Sequence, residues 1–478
     1  MPQTATVIGG SFTDADDRTA RRFAESAHTY STGVMPTAQF HAWLAERALS
    51  RRHRVDLIAL DDLDGWSADP ETGNLGHRSG RFYTIEGLEV VTGHRHNPTW
   101  SQPIILQPEI GILGILVKEF NGVLHCLMQA KMEPGNINGI QLSPTVQATP
   151  SNYTRVHQGN AIPYLEHFIT AGRGRVVADT LQSEQGAWFL QKRNRNMIVE
   201  VTEDVPVLDG FCWLTVGQLH ELLAVENLVN MDTRSVMSII PLATPIDRPS
   251  LLDEDSFRGA LLRSLSTRPD PNDATGNLVS WFTDVKSRRT LRRRPIPLHQ
   301  TKGWLRTSDR IHHEDERYFS VVGVRVEADD REVTSWSQPM IAPASRGVLA
   351  LLTRQVNGVL HALVQAHTQA GTFDVVEMAP TVQCSPENYD EGRPLFLDYV
   401  LSAPASQIRF DVVHSEEGGR FFQAENRCLI VEVDDAFPTD VPDGYAWATI
   451  SQLTDLTRHG HYFNVEARCL LTCLHTLW

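Results

Sequence analysis

Side chains that can carry charge or move protons occur in three short segments of the first half of the chain. They are Lys131 and Glu133, then Arg155 and His157, then Lys192 and Arg193. Lysine and arginine suit the recognition of phosphate or carboxylate groups, and arginine can bind them in a bidentate fork. Since the chain has a net charge of −15, these cations indicate a local pocket for an anionic ligand. The alternative is a solvated basic face, which is the commoner fate of clustered charge.

The sequence is duplicated, which allows one copy to be compared with the other. Solenoid repeats have periods of about 20 to 50 residues, so a much longer period indicates two copies of one domain. The matching strings are Trp-Ser-Gln-Pro at 100–103 and 336–339, Asn-Gly-Val-Leu-His at 121–125 and 357–361, both offset by 236 residues, and Ser-Glu at 183–184 and 415–416, offset by 232.

The comparison separates shared from unshared polar residues. The second copy has His367 and Gln369 in place of Lys131 and Glu133. We therefore expect a catalytic first copy and a catalytically silent second copy, which shapes the pocket, forms a dimer interface or holds a decayed ligand site. For any single shared residue the structural interpretation is favoured, because amides and hydroxyls commonly satisfy backbone groups. The shared set includes Gln129, Gln147, Asn152, Tyr153, Ser183, Glu184, Asn194 and Arg195.

Composition excludes several functional classes. The acidic net charge argues against general nucleic-acid binding, and no stretch has the roughly 20 apolar residues of a membrane span. The N-terminus lacks the basic start and apolar run of a signal peptide, and the six cysteines form no CxxC pair. We therefore expect a cytoplasmic protein without a structural zinc site. The paired histidines at 94 and 96 and at 312 and 313 are expected to lie on the surface.

The motifs lie on a mixed α+β pattern that occurs twice. A helical arm is predicted over residues 19–50, and Asn121-Gly122 between two apolar runs predicts a hairpin. Thr215 and Gln218 form a predicted capping box, as do their equivalents Thr449 and Gln452. Each module is therefore expected to be an antiparallel sheet with helices packed against it. A connector follows the first module, with a helix cap predicted at residues 250–253.

Several strings resemble those of the NDP-hexose 2,3-dehydratases, which serve the synthesis of deoxysugars on antibiotics. The resemblance covers almost the whole chain, including the duplication. It implies two Nudix-like modules, at residues 1–245 and 276–478 with a connector at 246–275, and a homodimer. The Nudix hydrolase signature is missing, so hydrolysis is not implied. The strings are residues 129–136, 143–148, 151–153, 183–189 and 192–196.

The reaction that the resemblance implies is loss of water from a nucleotide-linked 4-keto-6-deoxyglucose, with dTDP as the expected nucleotide. The C4 ketone acidifies the C3 proton, removal of that proton gives an enolate, and the C2 hydroxyl leaves. The product enol tautomerises to a 3,4-diketo sugar, which a 3-ketoreductase is expected to consume. No redox cofactor or metal is expected. Such a site needs a base, a donor facing the C4 oxygen and an acid for the leaving hydroxyl.

These requirements lead to a hypothesis for the roles of individual residues. Glu133 or His157 is the expected base, and Lys131 with Tyr153 is expected around the oxyanion and the leaving group. Arg155, Arg193 and Arg195 are candidates for the diphosphate. The remaining residues expected to bind substrate are Gln129, Asn136, Gln147, Asn152, Ser183, Glu184, Gln185 and Asn194.

Two other functions remain open from the sequence. The first is a non-catalytic nucleotide-sugar binding protein, which would bind the substrate without releasing water. The second is a cofactor-free epimerase or isomerase, which would form the same enolate and retain the C2 hydroxyl. Glu377, which stands opposite Gln141 of the first copy, leaves room for a second functional pocket.

Overall fold

The fold is built from two copies of one mixed α+β architecture, which confirms the α+β class. A computed structural model describes residues 14–30, 33–50, 53–94, 98–150, 161–242, 255–266, 275–328 and 333–478. Within these ranges, no helix is long and apolar enough to span a bilayer.

The first half begins with two helices, as the predicted helical arm requires, and continues into strands. Its described helices are α1 (Asp14–Ala27), α2 (Thr37–Ser50), α3 (Glu166–Ile169), α4 (Val216–Leu222) and α5 (Met231–Met237). Its strands are β1 (His53–Ile58), β2 (Trp66–Ala68), β3 (Leu75–His77), β4 (Thr84–Thr92), β5 (Thr99–Leu106), β6 (Gly111–Phe120), β7 (Val123–Met132), β8 (Ile140–Ser143), β9 (Val146–Ala148), β10 (Arg175–Ser183), β11 (Arg193–Glu200) and β12 (Phe211–Thr215).

The second half repeats this order. Its described helices are α6 (Phe257–Ser266), α7 (Thr275–Arg288), α8 (Leu397–Leu401), α9 (Ile450–Thr457) and α10 (Val465–His475). Its strands are β13 (Leu291–Ile296), β14 (Trp304–Arg306), β15 (Arg310–His313), β16 (Phe319–Ala328), β17 (Ser335–Pro343), β18 (Gly347–Val356), β19 (Val359–His367), β20 (Glu377–Pro380), β21 (Val382–Cys384), β22 (Ile408–Ser415), β23 (Glu425–Glu432) and β24 (Tyr445–Thr449).

A seven-stranded sheet forms the centre of each half. In the first half the order is β10-β11-β6-β7-β12, with β8 and β9 added at β7 and β6, and the second half has the same arrangement. β11 runs parallel to β6, and the other pairs in this sheet are antiparallel. The predicted hairpin is confirmed: Asn121 and Gly122 join β6 to β7 with φ of 51° and 86°. Asparagine and glycine adopt such positive φ values most readily.

Each half lends one strand to the other. β1 pairs with β16 along His53↔Ala328, and β13 pairs with β4 along Leu291↔Thr92. The two smaller five-stranded sheets are therefore mixed between the halves. A single cluster of buried apolar side chains also contains residues of both halves, among them Leu113 and Leu351. Burial on this scale dominates folding stability, so the halves are held together by a common core.

The two predicted capping boxes are confirmed at the helices that follow β12 and β24. Thr215 accepts from the backbone N–H of Gln218, whose side chain accepts in return from the backbone of Thr215. Thr449 and Gln452 repeat the exchange. These caps satisfy backbone groups that the first helical turn leaves unpaired. The cap predicted at residues 250–253 lies outside the described residues.

Candidate functional site

A cavity of about 710 Å³ lies between the N-terminal sheet and loops of the C-terminal half. Polar and charged side chains from both halves line it. From the N-terminal half come Gln129, Lys131, Glu133, Gln147, Glu184, Lys192, Asn194 and Asp232, and from the C-terminal half come Trp336, Gln338, Glu417 and Arg420.

The end of β7 places a lysine and a carboxylate side by side. Lys131 lies on β7 with Gln129 two residues before it, so both project from the same face of the strand. Glu133 follows immediately and is 4% exposed. Lys131 Nζ lies 3.7 Å from Glu133 Oε1, and Gln147 Nε2 donates to that oxygen at 2.7 Å. Glu133 Oε2 has no hydrogen-bond partner among the described residues, so this oxygen is available to a ligand.

A second carboxylate is held where β10 meets β11. Asn194 Nδ2 donates to Glu184 Oε1 at 2.8 Å, and Asn194 Oδ1 accepts from the backbone of Gly111 at 3.0 Å. Lys192 Nζ donates to the carbonyl oxygen of Glu109. Burial raises the pKa of Glu184 and lowers the pKa of Lys192 to about 8. Both shifts follow because a low-dielectric surrounding disfavours the charged form.

Asp232 adds a third carboxyl group to the cavity. It lies in the first turn of α5 and is 2% exposed. Burial raises the pKa of Asp232 well above its ordinary value, and the nearby carboxylates Glu184 and Glu133 raise it further. A buried carboxyl group of this kind is held in its neutral form and can act as a proton donor.

The C-terminal half supplies a loop that closes the cavity. Glu417 accepts from the backbone N–H groups of Gly419 and Arg420, each at 2.9 Å. The Arg420 guanidinium lies 4.4 Å from the ring centre of Tyr83 and donates from Nε to Gln107 Oε1 at 3.3 Å. Burial raises the pKa of Glu417 to about 7, and the adjacent Glu133 contributes in the same direction.

The loop is fixed against the segment that carries Glu133. Gly135 N donates to Gly418 O at 2.7 Å, and Gln423 N donates to Gly135 O at 2.9 Å. A Cβ at Gly135 would overlap the carbonyl oxygen of Phe421, so this close approach of two backbones requires glycine.

The sequence comparison matches the same chain to one enzyme family. A family model described as NDP-hexose 2,3-dehydratase matches residues 37–240 and 275–474. The chain belongs to the NDP-hexose 2,3-dehydratase family. Two relatives named dTDP-4-dehydro-6-deoxy-alpha-D-glucopyranose 2,3-dehydratase are similar throughout. The one from Saccharopolyspora spinosa is 50% identical over 96% of this chain and 95% of its own length. The one from Streptomyces violaceoruber is 52% identical over 93% and 98%.

A solved structure of an ADP compounds hydrolase is only weakly similar. It is 13% identical and covers 33% of this chain and 85% of its own, with a TM-score of 0.23. The Nudix-like geometry of each module therefore stays a prediction.

The structure brings together six of the site residues predicted from the sequence. Asn136 lies buried beside them and donates to Gly139 O at 3.0 Å. Asn152, Tyr153, Arg155 and His157 fall in residues 151–160, outside the described part of the chain. The six that line the cavity are Gln129, Lys131, Glu133, Gln147, Glu184 and Asn194.

Four other implied residues lie against different partners. Ser183 Oγ donates to Phe463 O at 3.4 Å, and Gln185 Nε2 donates to Glu416 Oε2 at 2.6 Å. Arg193 lies 4.0 Å from the ring centre of Phe373, and Arg195 Nε donates to Asp179 Oδ1 at 2.8 Å. Arg193 and Arg195 occupy alternate positions of β11 and share a face, whereas Asn194 between them projects to the other face.

Sequence reasoning missed several charged residues of the cavity, among them Asp232, Glu417 and Arg420. The signal for two of them was present in the duplication. At the offset of 232, Gln185 and Trp188 of the first copy stand opposite Glu417 and Arg420. A search for charge gained by the second copy would have selected them. Among the described residues, no group of three or more His, Cys, Asp or Glu is arranged to hold a metal ion.

Proposed function

We propose that this dehydratase removes water across C2 and C3 of a dTDP-linked 4-keto-6-deoxyglucose, which makes it a hydro-lyase. About 50% identity to 2,3-dehydratases over nearly the whole chain carries this proposal. The cavity supports it with a lysine, a carboxylate and a further carboxyl group in one enclosed space. The 3,4-diketo-2,6-dideoxy sugar is the product, and the overall change is redox-neutral.

Glu133 is the proposed base at C3. Its Oε1 accepts from Gln147 and lies near Lys131, and its Oε2 is available to take a proton. Lys131 is the proposed donor to the C4 oxygen, where negative charge develops. One such oxyanion donor lowers the activation barrier by about 3 to 4 kcal/mol. Tyr153 and His157 remain candidates of the same proposal.

The nucleotide is proposed to extend toward the mouth of the cavity. Arg420 is the arginine that we assign to the diphosphate, since its guanidinium borders the cavity beside Tyr83. Trp66 and Trp336 also border the cavity and offer aromatic faces on which a base can stack.

The wider biological setting is part of the same proposal. The protein is proposed to act in the cytoplasm as a homodimer of tandem Nudix-like modules. Coupling to a 3-ketoreductase is expected because the diketo product is unstable. The six free cysteines suit a reducing compartment.

Mass spectrometry in deuterated water tests the reaction. The purified protein is incubated with the dTDP-linked 4-keto sugar and a diketone-trapping reagent. Loss of water (18 mass units), offset by one mass unit for the deuterium at C2 of the product, is expected. Binding without water loss supports the binding-protein alternative. Deuterium at C3 or C5 with the C2 hydroxyl retained supports the epimerase alternative. Either result contradicts the proposed function.

A further inference from the structure

We infer that Glu417 of the C-terminal module is the acid that protonates the departing C2 hydroxyl, so that the two modules share one catalytic site. This inference rests on the proposed function. It assigns the acid to the copy that the sequence comparison marked as silent.

The position of Glu417 supports this role. It lines the same cavity as Lys131 and Glu133, and both of its oxygens are oriented by backbone N–H groups. A Cβ added at Gly419 would touch Glu417 Oε1 and lie 3.7 Å from Glu133 Oε1. A side chain at position 419 would therefore crowd both carboxyl oxygens, and glycine leaves this space open.

The charged surroundings divide the two roles. Glu133 Oε1 lies 3.7 Å from the Lys131 ammonium and accepts from the Gln147 amide at 2.7 Å. Glu417 is surrounded by Glu133 and Glu184 as well as Arg420, and burial is the largest cause that favours its protonated form. Pairs of titratable groups whose environments separate their proton affinities are typical of acid and base partners.

The duplication shows that this carboxyl group is not needed for the fold of the loop. The first copy has Gln185 at the same position, in the same kind of exchanged loop. Gln185 Nε2 donates to Glu416 Oε2 at 2.6 Å, and Gln185 Oε1 accepts no hydrogen bond from the described residues, whereas both oxygens of Glu417 accept from backbone N–H groups. A neutral amide therefore fits this loop, and the acid at 417 has a use that the copy at 185 lacks.

The proton balance closes within the pair. Glu133 takes the C3 proton, and the electron pair of that bond forms the C4 enolate. The enolate re-forms the C4 ketone, C2 and C3 become doubly bonded, and the C2–O bond breaks. Glu417 gives its proton to the leaving hydroxyl, which departs as water. The proton on Glu133 exchanges with solvent, a solvent-derived proton passes from Glu133 to C2 as the enol tautomerises, and the enol proton returns to Glu417.

Glu417→Gln separates the two proton transfers. We expect water loss to fall by about 100-fold, since a general acid contributes 10²- to 10⁴-fold. Exchange of the C3 proton into deuterated water should continue within tenfold of the wild-type rate, because the base remains. Glu417→Asp keeps an acid and should recover water loss to within about tenfold of wild type. The matched control is Glu377→Gln, which removes a buried carboxyl group of the same module outside the cavity and should change neither rate beyond threefold.

Three outcomes would overturn the inference. Normal water loss in Glu417→Gln removes the need for this acid, and equal loss of exchange and elimination assigns it a structural role only. Exchange without elimination in Asp232→Asn, together with near-normal Glu417→Gln, transfers the role to Asp232. If Glu417→Gln fails to fold, Glu417→Asp and the wild-type pH profiles of both rates still decide the matter. A wild-type enzyme that releases no water refutes the proposed function instead.

Discussion

The two halves of the molecule place different chemistry at equivalent positions. In the N-terminal half, Gln147 donates to the carboxylate of Glu133. In the C-terminal half, Gln369 stands at the position of Glu133, and Gln383 instead accepts from Asn464 Nδ2 at 2.7 Å. The same fold thus positions a proton acceptor in one half and a neutral amide network in the other.

The difference does not make the C-terminal half a passive copy. Its loop reaches the N-terminal cavity through Gly418 and Gln423, and the N-terminal loop reaches the C-terminal half in the same way, with Gln191 N donating to Gly371 O at 2.9 Å. Because each half lends a loop to the other, the residues around one cavity come from both halves of the sequence. A duplicated chain can therefore specialise one cavity with residues of both copies.

Removing the lysine and carboxylate of the N-terminal cluster should have the largest effect. We expect Lys131→Met and Glu133→Gln each to lower kcat/KM by about 10³-fold, which corresponds to about 4 kcal/mol of lost transition-state stabilisation. The check is initial-rate kinetics with the trapped product. His367→Gln, at the equivalent position of the C-terminal half, is the control and should stay within threefold. Normal turnover in both N-terminal variants would contradict the assignment of this cluster.

Gln147 and Gln383 allow the comparison at a single matched pair. Gln147→Leu removes the amide that donates to Glu133 at 2.7 Å. We expect kcat to fall about 30-fold with a smaller change in KM, because a hydrogen bond to a charged group is worth about 1.5 to 3 kcal/mol. Gln383→Leu should leave kcat within threefold. Equal losses in the two variants would show that both glutamines act through the fold.

The pH dependence sharpens the roles within the N-terminal cavity. Burial raises the pKa of Glu417 to about 7, so the protonated acid is present below that value and is lost above it. Water loss should fall about tenfold per pH unit above pH 7, whereas C3 exchange should lack this limb. The groups that face Glu417 are Glu133, Glu184 and Arg420. Parallel profiles for the two rates would contradict an acid role for Glu417.

The sequence predicts the local parts of this structure and misses the exchanged ones. The Asn121-Gly122 hairpin and the Thr215 capping box follow from rules that act within a few residues. The Gly135–Gly418 contact and the β1–β16 pairing join segments far apart in the chain, and no periodicity reports them. Comparison of the copies indicated Lys131 and Glu133 because they are unshared. It missed Glu417 because, apart from Glu377, only residues lost by the second copy were considered.

The smallest expected effect concerns the stability contributed by Glu377, a buried carboxyl group of the C-terminal half. Glu377 is 4% exposed, and burial raises its pKa to about 7. A raised folded-state pKa contributes stability that is present below the unfolded value near 4.5 and is lost as the pH rises through about 7. The equivalent Gln141 donates to Ser415 Oγ at 2.8 Å, so glutamine fits this position in the other half.

Glu377→Gln should therefore raise the free energy of unfolding at pH 8 by about 2 kcal/mol and leave it nearly unchanged at pH 5, because only the ionised carboxylate is costly to bury. For a chain of this length that corresponds to a rise of about 2 °C in Tm. Thermal unfolding of the variant and the wild type at both pH values measures the difference. A loss of stability at pH 8 would mean that a partner stabilises the ionised Glu377. The surroundings of Glu377 would then be a second charged site and not only part of the buried structure.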